Sequence, residues 1–267
     1  MPGFAENHRS PAAADAGDPP IIDVRRVSKR FGSLVAVSET TFAIQPGRIV
    51  GLVGSDGAGK TTLLRMVATM TPPTGGNVLV GGFDVSRQKE AVKKLIGYMP
   101  QRFGLYQDLT VAENLDFFMD IFGISGRERV RRRERYLGFS NLLPFLDRKA
   151  GDLSGGMKQK LGLACVLVHQ PRILILDEPT NGVDPVSRQE FWEILTEMRY
   201  QNMTMLVATS YLDEGEKCDD LLLMHDSRVL AETTPADLKS GFADLEAAVI
   251  HRILQADAIL REDKFGV

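Results

Sequence analysis

One stretch of nine residues, GSDGAGKTT, constrains this chain more than any other. It occupies residues 54–62, directly after the apolar run 49–53 and directly before the apolar run 63–67. The pattern is GxxxxGK[ST] between a predicted strand and a predicted helix, the setting in which it carries meaning. Its three glycines let successive backbone N–H groups turn inward, and the helix adds its positive N-terminal end. The stretch therefore predicts a loop that binds nucleotide phosphates.

The side chains of this loop have separate expected tasks. Lys60 would reach the β- and γ-phosphates of ATP, and Thr61 would hold Mg²⁺. An ordinary glycine-rich turn is the alternative, but such a turn requires neither the lysine nor the flanking strand and helix. The other expected contributors to nucleotide binding are Gly54, Ser55, Asp56, Gly57, Ala58, Gly59 and Thr62.

The order of the predicted elements indicates an α/β fold with the core of a P-loop NTPase (RecA-like). Strand-like segments at 21–24 and 34–37 precede the loop and predict an N-terminal antiparallel β part. Buried strands at 173–176 and 204–209 alternate with helices, which favours a largely parallel sheet. A mostly helical subdomain is expected over about 103–165. Ligands of such sheets bind at the carboxyl ends of the strands.

The bulk properties of the chain exclude several classes of protein. No apolar run approaches the length of about 18 residues that a membrane span needs. The N-terminus does not resemble a secretory signal, and two widely separated cysteines favour a reducing compartment. A net charge of -3 argues against a dedicated nucleic-acid binder. The charge run 127–137 mixes arginine with glutamate, which favours a solvated helix face over a nucleic-acid contact.

Two carboxylates follow the apolar segment 173–176. Asp177 would bind Mg²⁺ directly or through water, and Glu178 would act as the general base for an attacking water. A strand can also end in an acid for solubility alone. The phosphate loop upstream makes the catalytic interpretation the stronger one.

The segment LSGGMKQK, residues 153–160, supplies a second feature of unusual composition. Ser154 followed by Gly155 and Gly156 predicts a helix N-terminus that is open to an anion, with a hydroxyl added. A phosphate loop uses one helix end. A second available helix end suggests a γ-phosphate that is held from two sides.

These motifs together resemble the ATP-binding domain of an ABC transporter. Walker A is 54–62, the Q-loop residue is Gln101, the signature is LSGGMKQ, Walker B is ILILDE and the D-loop residue is Asp184. The resemblance covers 21 to about 237, and the segments 209–219 and 242–246 are similar to those of drug and ABC-2-type exporters. The residues before it, 1–20, are expected to form a disordered leader, and 238–267 a helical tail.

The resemblance implies further residues and partners. Each ATP of a head-to-tail dimer would lie between the Walker motifs of one subunit and Ser154–Met157 of the other. Phe31 would stack on adenine, Asp184 would line the nucleotide site, and Gln101 would touch Mg²⁺ or its water. The helical subdomain would transmit movement to a separate membrane permease, which places the protein on the cytoplasmic face of the cell membrane.

One position departs from the family pattern. The switch histidine of the family should follow the last core strand, where this chain has Ser210. Serine is shorter than histidine and does not titrate near neutral pH, so it cannot donate the same charge-assisted hydrogen bond. This favours tight ATP binding with slow hydrolysis, in a heterodimer or beside a second nucleotide-binding half. A working homodimer, in which a water fills the gap, is the alternative.

Two functions compete at this point. An ATPase subunit that drives an exporter accounts for all five motifs and for the absence of a spanning segment. A soluble ABC ATPase that acts on ribosomes or nucleic acid is the alternative. Its known types carry fused ATPase domains or long coiled coils, and this sequence resembles neither.

Overall fold

The structure, a computed structural model, describes residues 19–265. Within that range the strands form a four-stranded and a six-stranded sheet. Nearly all of the predicted leader lies outside the described residues. The strands are β1 (Ile22–Phe31), β2 (Leu34–Ile44), β3 (Ile49–Gly54), β4 (Gly75–Val80), β5 (Phe83–Asp84), β6 (Ile96–Met99), β7 (Ile173–Asp177), β8 (Thr204–Thr209), β9 (Asp220–His225) and β10 (Arg228–Thr233).

Helices connect most of these strands. Two short 3₁₀ turns also lie between the fourth and fifth helices. The helices are α1 (Lys60–Val67), α2 (Lys89–Leu95), α3 (Val111–Ile121), α4 (Gly126–Phe139), α5 (Gly155–Leu167), α6 (Pro185–Tyr200), α7 (Leu212–Gly215), α8 (Pro235–Lys239) and α9 (Leu245–Phe265).

The sheet topology confirms the predicted fold class. The smaller sheet has the strand order β2-β1-β4-β5 and its pairs are antiparallel. The larger sheet has the order β10-β9-β3-β8-β7-β6, with parallel pairing from β9 to β6. The strands β7 and β8 are buried along their whole length, as expected for parallel strands covered on both faces.

The strand β3 divides the hydrophobic core into two clusters. Neighbouring side chains of a strand point to opposite faces, and this strand alternates accordingly. Ile49 and Val53 belong to the cluster that includes Leu161 of α5, the helix that begins in the signature segment. Val50 and Leu52 pack on the other face with α1 and the antiparallel sheet. The phosphate loop thus starts from a strand that is fixed from both sides.

The helical subdomain begins with a loop rather than a helix. Residues 103–110 carry no helical turn, and α3 starts at Val111 behind a capping box formed by Thr110 and Glu113. Asn114 is fully buried and ties the loop to α3. Its carboxamide accepts from the Tyr106 amide (2.9 Å) and donates to the Tyr106 carbonyl (3.0 Å). This anchor fixes the chain just beyond Gln101.

The arginines of α4 are largely neutralised within the protein. Arg129 and Arg133 pair with Asp116 of α3, and Arg132 pairs with Glu128 of its own helix. The pairs are consistent with a solvated helix face, as the mixed charge pattern predicts. They also leave less positive charge for a nucleic acid.

The described residues end in two helices. The helix α8 spans the expected boundary at residue 237, and α9 follows it. The first turn of α9 is anchored in the core, since Leu245, Ala248 and Val249 are buried. The two cysteines are buried free thiols.

Candidate functional site

The phosphate loop runs from the end of β3 to the start of α1. Gly54 and Gly59 both have positive φ angles, 147° and 102°. A Cβ on Gly54 would lie 1.8 Å from the carbonyl oxygen of Met224, and one on Gly59 would lie 2.3 Å from that of Ala36. Both positions therefore require glycine for space as well as for conformation.

Lys60 lies inside the curve of this loop. Its Nζ donates to the carbonyl oxygens of Gly54 (2.8 Å) and Ser55 (3.0 Å). Burial lowers the pKa of the Lys60 ammonium, and nearby carboxylates, above all that of Glu178, oppose the shift. The lysine is thus held at the loop by groups that it can exchange for phosphate oxygens.

Thr61 and Asp177 meet at the carboxyl end of β7. The Thr61 hydroxyl donates to Oδ1 of Asp177 (2.9 Å), and the Tyr98 hydroxyl donates to Oδ2 (3.3 Å). Burial raises the pKa of Asp177, although both hydrogen bonds act in the opposite direction. A hydroxyl and a carboxylate are hard oxygen donors of the kind that Mg²⁺ prefers. These residues fit the predicted metal site.

Glu178 is held by three donors. Gln101 Nε2 (2.8 Å) and Asn181 Nδ2 (3.0 Å) donate to its Oε2, and the Ser210 hydroxyl (2.9 Å) donates to its Oε1. Its backbone φ of 49° lies in the left-handed region, which is uncommon for a residue with a side chain. The three predicted catalytic residues therefore lie together, because Gln101 and Ser210 both contact Glu178.

A cavity of about 430 Å³ joins the phosphate loop to these residues. Its wall brings together loop, strand ends and the segment after β8, so motifs that are distant in sequence share one space. The lining residues are Asp56, Gly57, Gln101, Glu178, Thr180, Asn181, Thr209, Ser210 and Tyr211.

The signature segment forms a helix N-terminus, as its composition predicts. Ser154 is the N-cap of α5, and its hydroxyl accepts from the Met157 amide at 3.3 Å. Ser154 and Gly155 are exposed. In the described chain these residues are not among those that line the 430 Å³ cavity. The signature helix end is therefore exposed and is not part of this cavity in its own chain.

Asp184 and the signature lie next to each other. The Asp184 carboxylate caps α6 by accepting from the Ser187 amide (2.9 Å), which lowers the pKa of Asp184. A Cβ on Gly156 would lie 2.3 Å from the Ser187 side chain. The start of α5 and the start of α6 are consequently packed as one surface.

Phe31 is exposed rather than part of the core. Its side chain lies at the end of β1 with 51% of its surface accessible, and the Lys29 ammonium lies 4.8 Å from the ring centre. An exposed aromatic ring is available for stacking on a base. Its role toward adenine stays a prediction.

Glu214 is a buried carboxylate that the sequence did not single out. It is fully buried and accepts from the hydroxyls of Thr180 (2.6 Å) and Thr209 (2.5 Å) and from Arg188 Nε (3.3 Å). The guanidinium of Arg188 also stacks on Tyr211 at 3.9 Å. Glu214 thus joins the segment after Walker B, the end of β8 and α6.

Replacing Glu214 by alanine is expected to lower the free energy of unfolding by about 3 kcal/mol or more, because it leaves Arg188 Nε and two buried hydroxyls without their acceptor. Chemical denaturation measures the change. Asp213→Ala is the matched control, since Asp213 binds the same guanidinium through an exposed carboxylate and should cost far less. Equal losses in the two variants would contradict the importance of the buried carboxylate.

The phosphate loop, the paired acids at the end of β7 and the parallel sheet between helices define a P-loop nucleotide-binding domain. The family described as ABC transporter matches residues 37–181, more than half of the chain. The chain therefore belongs to the ABC transporter family, as one of its ATP-binding domains.

Relatives with similar sequences carry transport names. The chain is 47% identical over 225 residues to the probable multidrug ABC transporter ATP-binding protein YbhF of Escherichia coli, which aligns over 84% of this chain and 39% of that protein. It is 40% identical over 215 residues to the Nod factor export ATP-binding protein I of Burkholderia lata, over 80% of this chain and 71% of the relative. The chain thus spans less than half of the Escherichia coli protein.

A solved structure gives the same fold. The ATP binding subunit of an ABC transporter superposes with a TM-score of 0.78 at 27% identity, covering 87% of this chain and 99% of that chain. A dimeric post-hydrolysis cassette bound to ADP and Pi superposes with a TM-score of 0.71 at 24% identity, over 80% of this chain and 98% of that chain. The second likeness supports the fold alone.

Proposed function

We propose that this chain binds ATP and Mg²⁺ at the phosphate loop and hydrolyses ATP as the ATP-binding subunit of an exporter. The observation that carries the proposal is the position of Glu178. Its carboxylate lines the same cavity as Asp56 and Gly57 of the phosphate loop. A base beside a phosphate cradle suits the transfer of a phosphoryl group to water.

The residues of the loop would bind the triphosphate. Lys60 would exchange its carbonyl acceptors, Gly54 and Ser55, for phosphate oxygens, so the ammonium needs little movement. The N–H groups at the start of α1 would add their partial positive charge. Phe31 at the end of β1 would stack on the adenine ring.

Magnesium would be held by Thr61 and by Asp177, with Gln101 close to it or to its water. When bound, this ion neutralises charge that develops on the phosphate oxygens. The Asp177 carboxylate already lies 2.9 Å from the Thr61 hydroxyl, which brings two of the oxygen donors together before the ion binds.

Glu178 would take the proton of the attacking water. The water oxygen forms a bond to the γ-phosphorus, the bond to the bridging oxygen of ADP breaks, and the proton of the water passes to the carboxylate. Gln101, Asn181 and Ser210 orient the carboxylate for this transfer.

A second nucleotide-binding domain would complete the site. The exposed Ser154 and Gly155 at the start of α5 lie outside the cavity of their own chain, so they are available to the triphosphate of a partner. Met157 and Asp184 belong to the same surface. A head-to-tail dimer, with two identical or two different domains, supplies the missing wall to each phosphate loop.

Ser210 would make hydrolysis slow relative to binding. Its short side chain already donates to Glu178, so it serves the base and not a γ-phosphate. The resemblance to the family places histidine at this position. We therefore expect a site that binds ATP tightly and hydrolyses it slowly. A partner domain with its own switch histidine could still hydrolyse its ATP, because the signature segment that this chain supplies is intact.

A membrane permease is the proposed partner, which places the protein on the cytoplasmic face of the cell membrane. Between residues 19 and 265, no helix has both the length and the apolar character for crossing a bilayer. The helical subdomain carries an exposed apolar surface, defined here as Tyr106, Phe117 and Ile121. These side chains are 47%, 36% and 60% exposed, and the ring centres of Tyr106 and Phe117 lie 4.6 Å apart in an edge-to-face arrangement. An exposed apolar patch of this kind marks an interaction site.

Placing a charge on this exposed apolar surface is expected to separate the chain from its permease. Ile121→Asp should abolish co-purification of a multi-span protein from detergent-solubilised membranes, because the carboxylate would be buried without a partner. Tyr200→Asp is the control, since Tyr200 is 63% exposed on α6, outside the helical subdomain. ATP binding by both soluble variants should match the wild type. Recovery of ribosomes by the wild type instead of a membrane protein would favour the alternative function.

A further inference from the structure

His225 joins the phosphate loop to the last helix of the chain. It is the final residue of β9, and its Nδ1 lies 2.9 Å from the Oγ of Ser55. Its Nε2 lies 2.8 Å from Oδ1 of Asp257 on α9. The imidazole is only 16% exposed, whereas the Asp257 carboxylate is 42% exposed, so the ring is mostly buried and its acid partner lies nearer the surface. A hydrogen-bonded chain therefore runs from α9 through His225 into Walker A.

The chemistry of the three groups fixes the direction of this chain. The carboxylate of Asp257 can only accept, so Nε2 of the imidazole carries a proton. In the neutral ring Nδ1 then accepts from the Ser55 hydroxyl, and in the charged ring it donates to the Ser55 oxygen. The Ser55 side chain is held by His225 in both cases.

The held residue shapes the phosphate loop. The carbonyl oxygen of Ser55 accepts from the Ala58 amide (3.2 Å) and from Lys60 Nζ (3.0 Å). The orientation of Ser55 therefore sets both the turn of the loop and the position of the lysine. A change at the Ser55 side chain is expected to alter the geometry that receives the phosphates.

The backbone segment that carries His225 is held firmly in place. The turn after β9 is bound to β2, because the Ser38 amide donates to the Ser227 carbonyl (2.7 Å) and the Ser227 hydroxyl donates to the Val35 carbonyl (2.8 Å). The backbone of Met224 also packs directly against Gly54. His225 is thus fixed by its backbone, and its ring is oriented by Asp257.

The position of Asp257 makes α9 part of the arrangement. The buried contacts of α9 named above lie at its first turns, from Leu245 to Val249. Asp257 follows Leu245 by 12 residues, which is about 18 Å along a helix. The contact with His225 therefore connects the later turns of α9 to the nucleotide site.

We propose that His225 is a positioning residue for ATP binding and that Asp257 orients its ring. Through this contact, the position of α9 determines the affinity of the phosphate loop for ATP. The inference rests on nucleotide binding at this loop, as proposed above. The chain of contacts does not reach Glu178 or Ser210, so its effect falls on ATP affinity and not on the chemical step.

Titration of the full-length protein with ATP, together with steady-state ATPase kinetics, tests the proposal. His225→Ala is expected to raise the Kd and the KM for ATP about three- to tenfold, the value of one lost hydrogen bond, with kcat little changed. Asp257→Ala should raise both by a smaller factor. His225→Asn should recover part of the affinity, because its amide occupies the place of Nδ1 and can still meet Ser55.

The controls separate this inference from the proposed function and from general instability. Gln255→Ala, an exposed substitution on α9, should bind ATP like the wild type, and Lys60→Ala should not bind it. If His225→Ala has the wild-type Kd for ATP while Lys60→Ala binds no ATP, the inference about His225 is overturned and the proposed function stands. A fall in kcat without a change in KM would overturn it as well. A wild type that binds no ATP would overturn the proposed function too.

Discussion

Replacing Glu178 by glutamine is expected to lower ATP turnover about a hundredfold to ten-thousandfold while ATP binding remains near the wild-type level. A positioned general base contributes a factor of this size, and an amide cannot accept the proton. Phosphate release under saturating ATP measures the first effect, and equilibrium binding of ATP measures the second. A large fall in kcat with an unchanged Kd is the pattern of a group that acts in the transition state.

The contacts of Glu178 explain why this substitution should leave the site intact. Gln101 and Asn181 both donate to one carboxylate oxygen, which the carbonyl oxygen of glutamine can replace. Ser210 donates to the other oxygen, and its hydroxyl can rotate to accept from the new amide. The hydrogen-bond network therefore survives, and the basicity is what the variant loses.

A matched substitution on α6 controls for the change of charge. Glu197 is an exposed glutamate, and Glu197→Gln should leave turnover unaffected. Turnover of Glu178→Gln within tenfold of the wild type would contradict the assignment of Glu178 as the base. A parallel loss of ATP binding would instead indicate that the carboxylate supports the loop.

The sequence predicts the phosphate loop and its fold because the relevant contacts are local. The glycines, Lys60 and Thr61 lie within eight residues, and Lys60 binds carbonyl groups of the same loop. The acids after β7 follow an uninterrupted apolar strand, so their place at the edge of a parallel sheet could be inferred from the pattern. Ser154 as a helix cap is likewise a local property of its segment.

The contacts that the sequence could not provide join segments far apart in the chain. Glu214 binds Thr180, 34 residues away, and His225 binds Ser55, 170 residues away. Nothing in the composition around either residue distinguishes it from a solvated acid or a turn histidine. Strand order brings His225 to the phosphate loop, since β9 pairs with β3 in parallel register.

The structure also refines what Ser210 does. The sequence identifies it by what it lacks, an imidazole at the switch position. In the structure the Ser210 hydroxyl and the Gln101 amide hold the two oxygens of Glu178, so serine has a contact of its own. Base orientation and contact with the γ-phosphate are separate tasks, and the slow turnover proposed above requires that the Ser210 hydroxyl serve the first of them alone.

Replacing Ser210 by histidine is therefore expected to raise ATP turnover about tenfold or more, toward the hundredfold that one positioned donor is worth. An imidazole reaches farther into the cavity and can donate a charge-assisted hydrogen bond to a phosphate oxygen. Ser210→Asn is the control, because an amide adds reach without a titratable ring and should give no comparable gain. Turnover of both variants is measured beside the wild type. If histidine brings no increase, a bound water already fills the gap and the site is a working one, in which Ser210 is tolerated and the homodimer is sufficient.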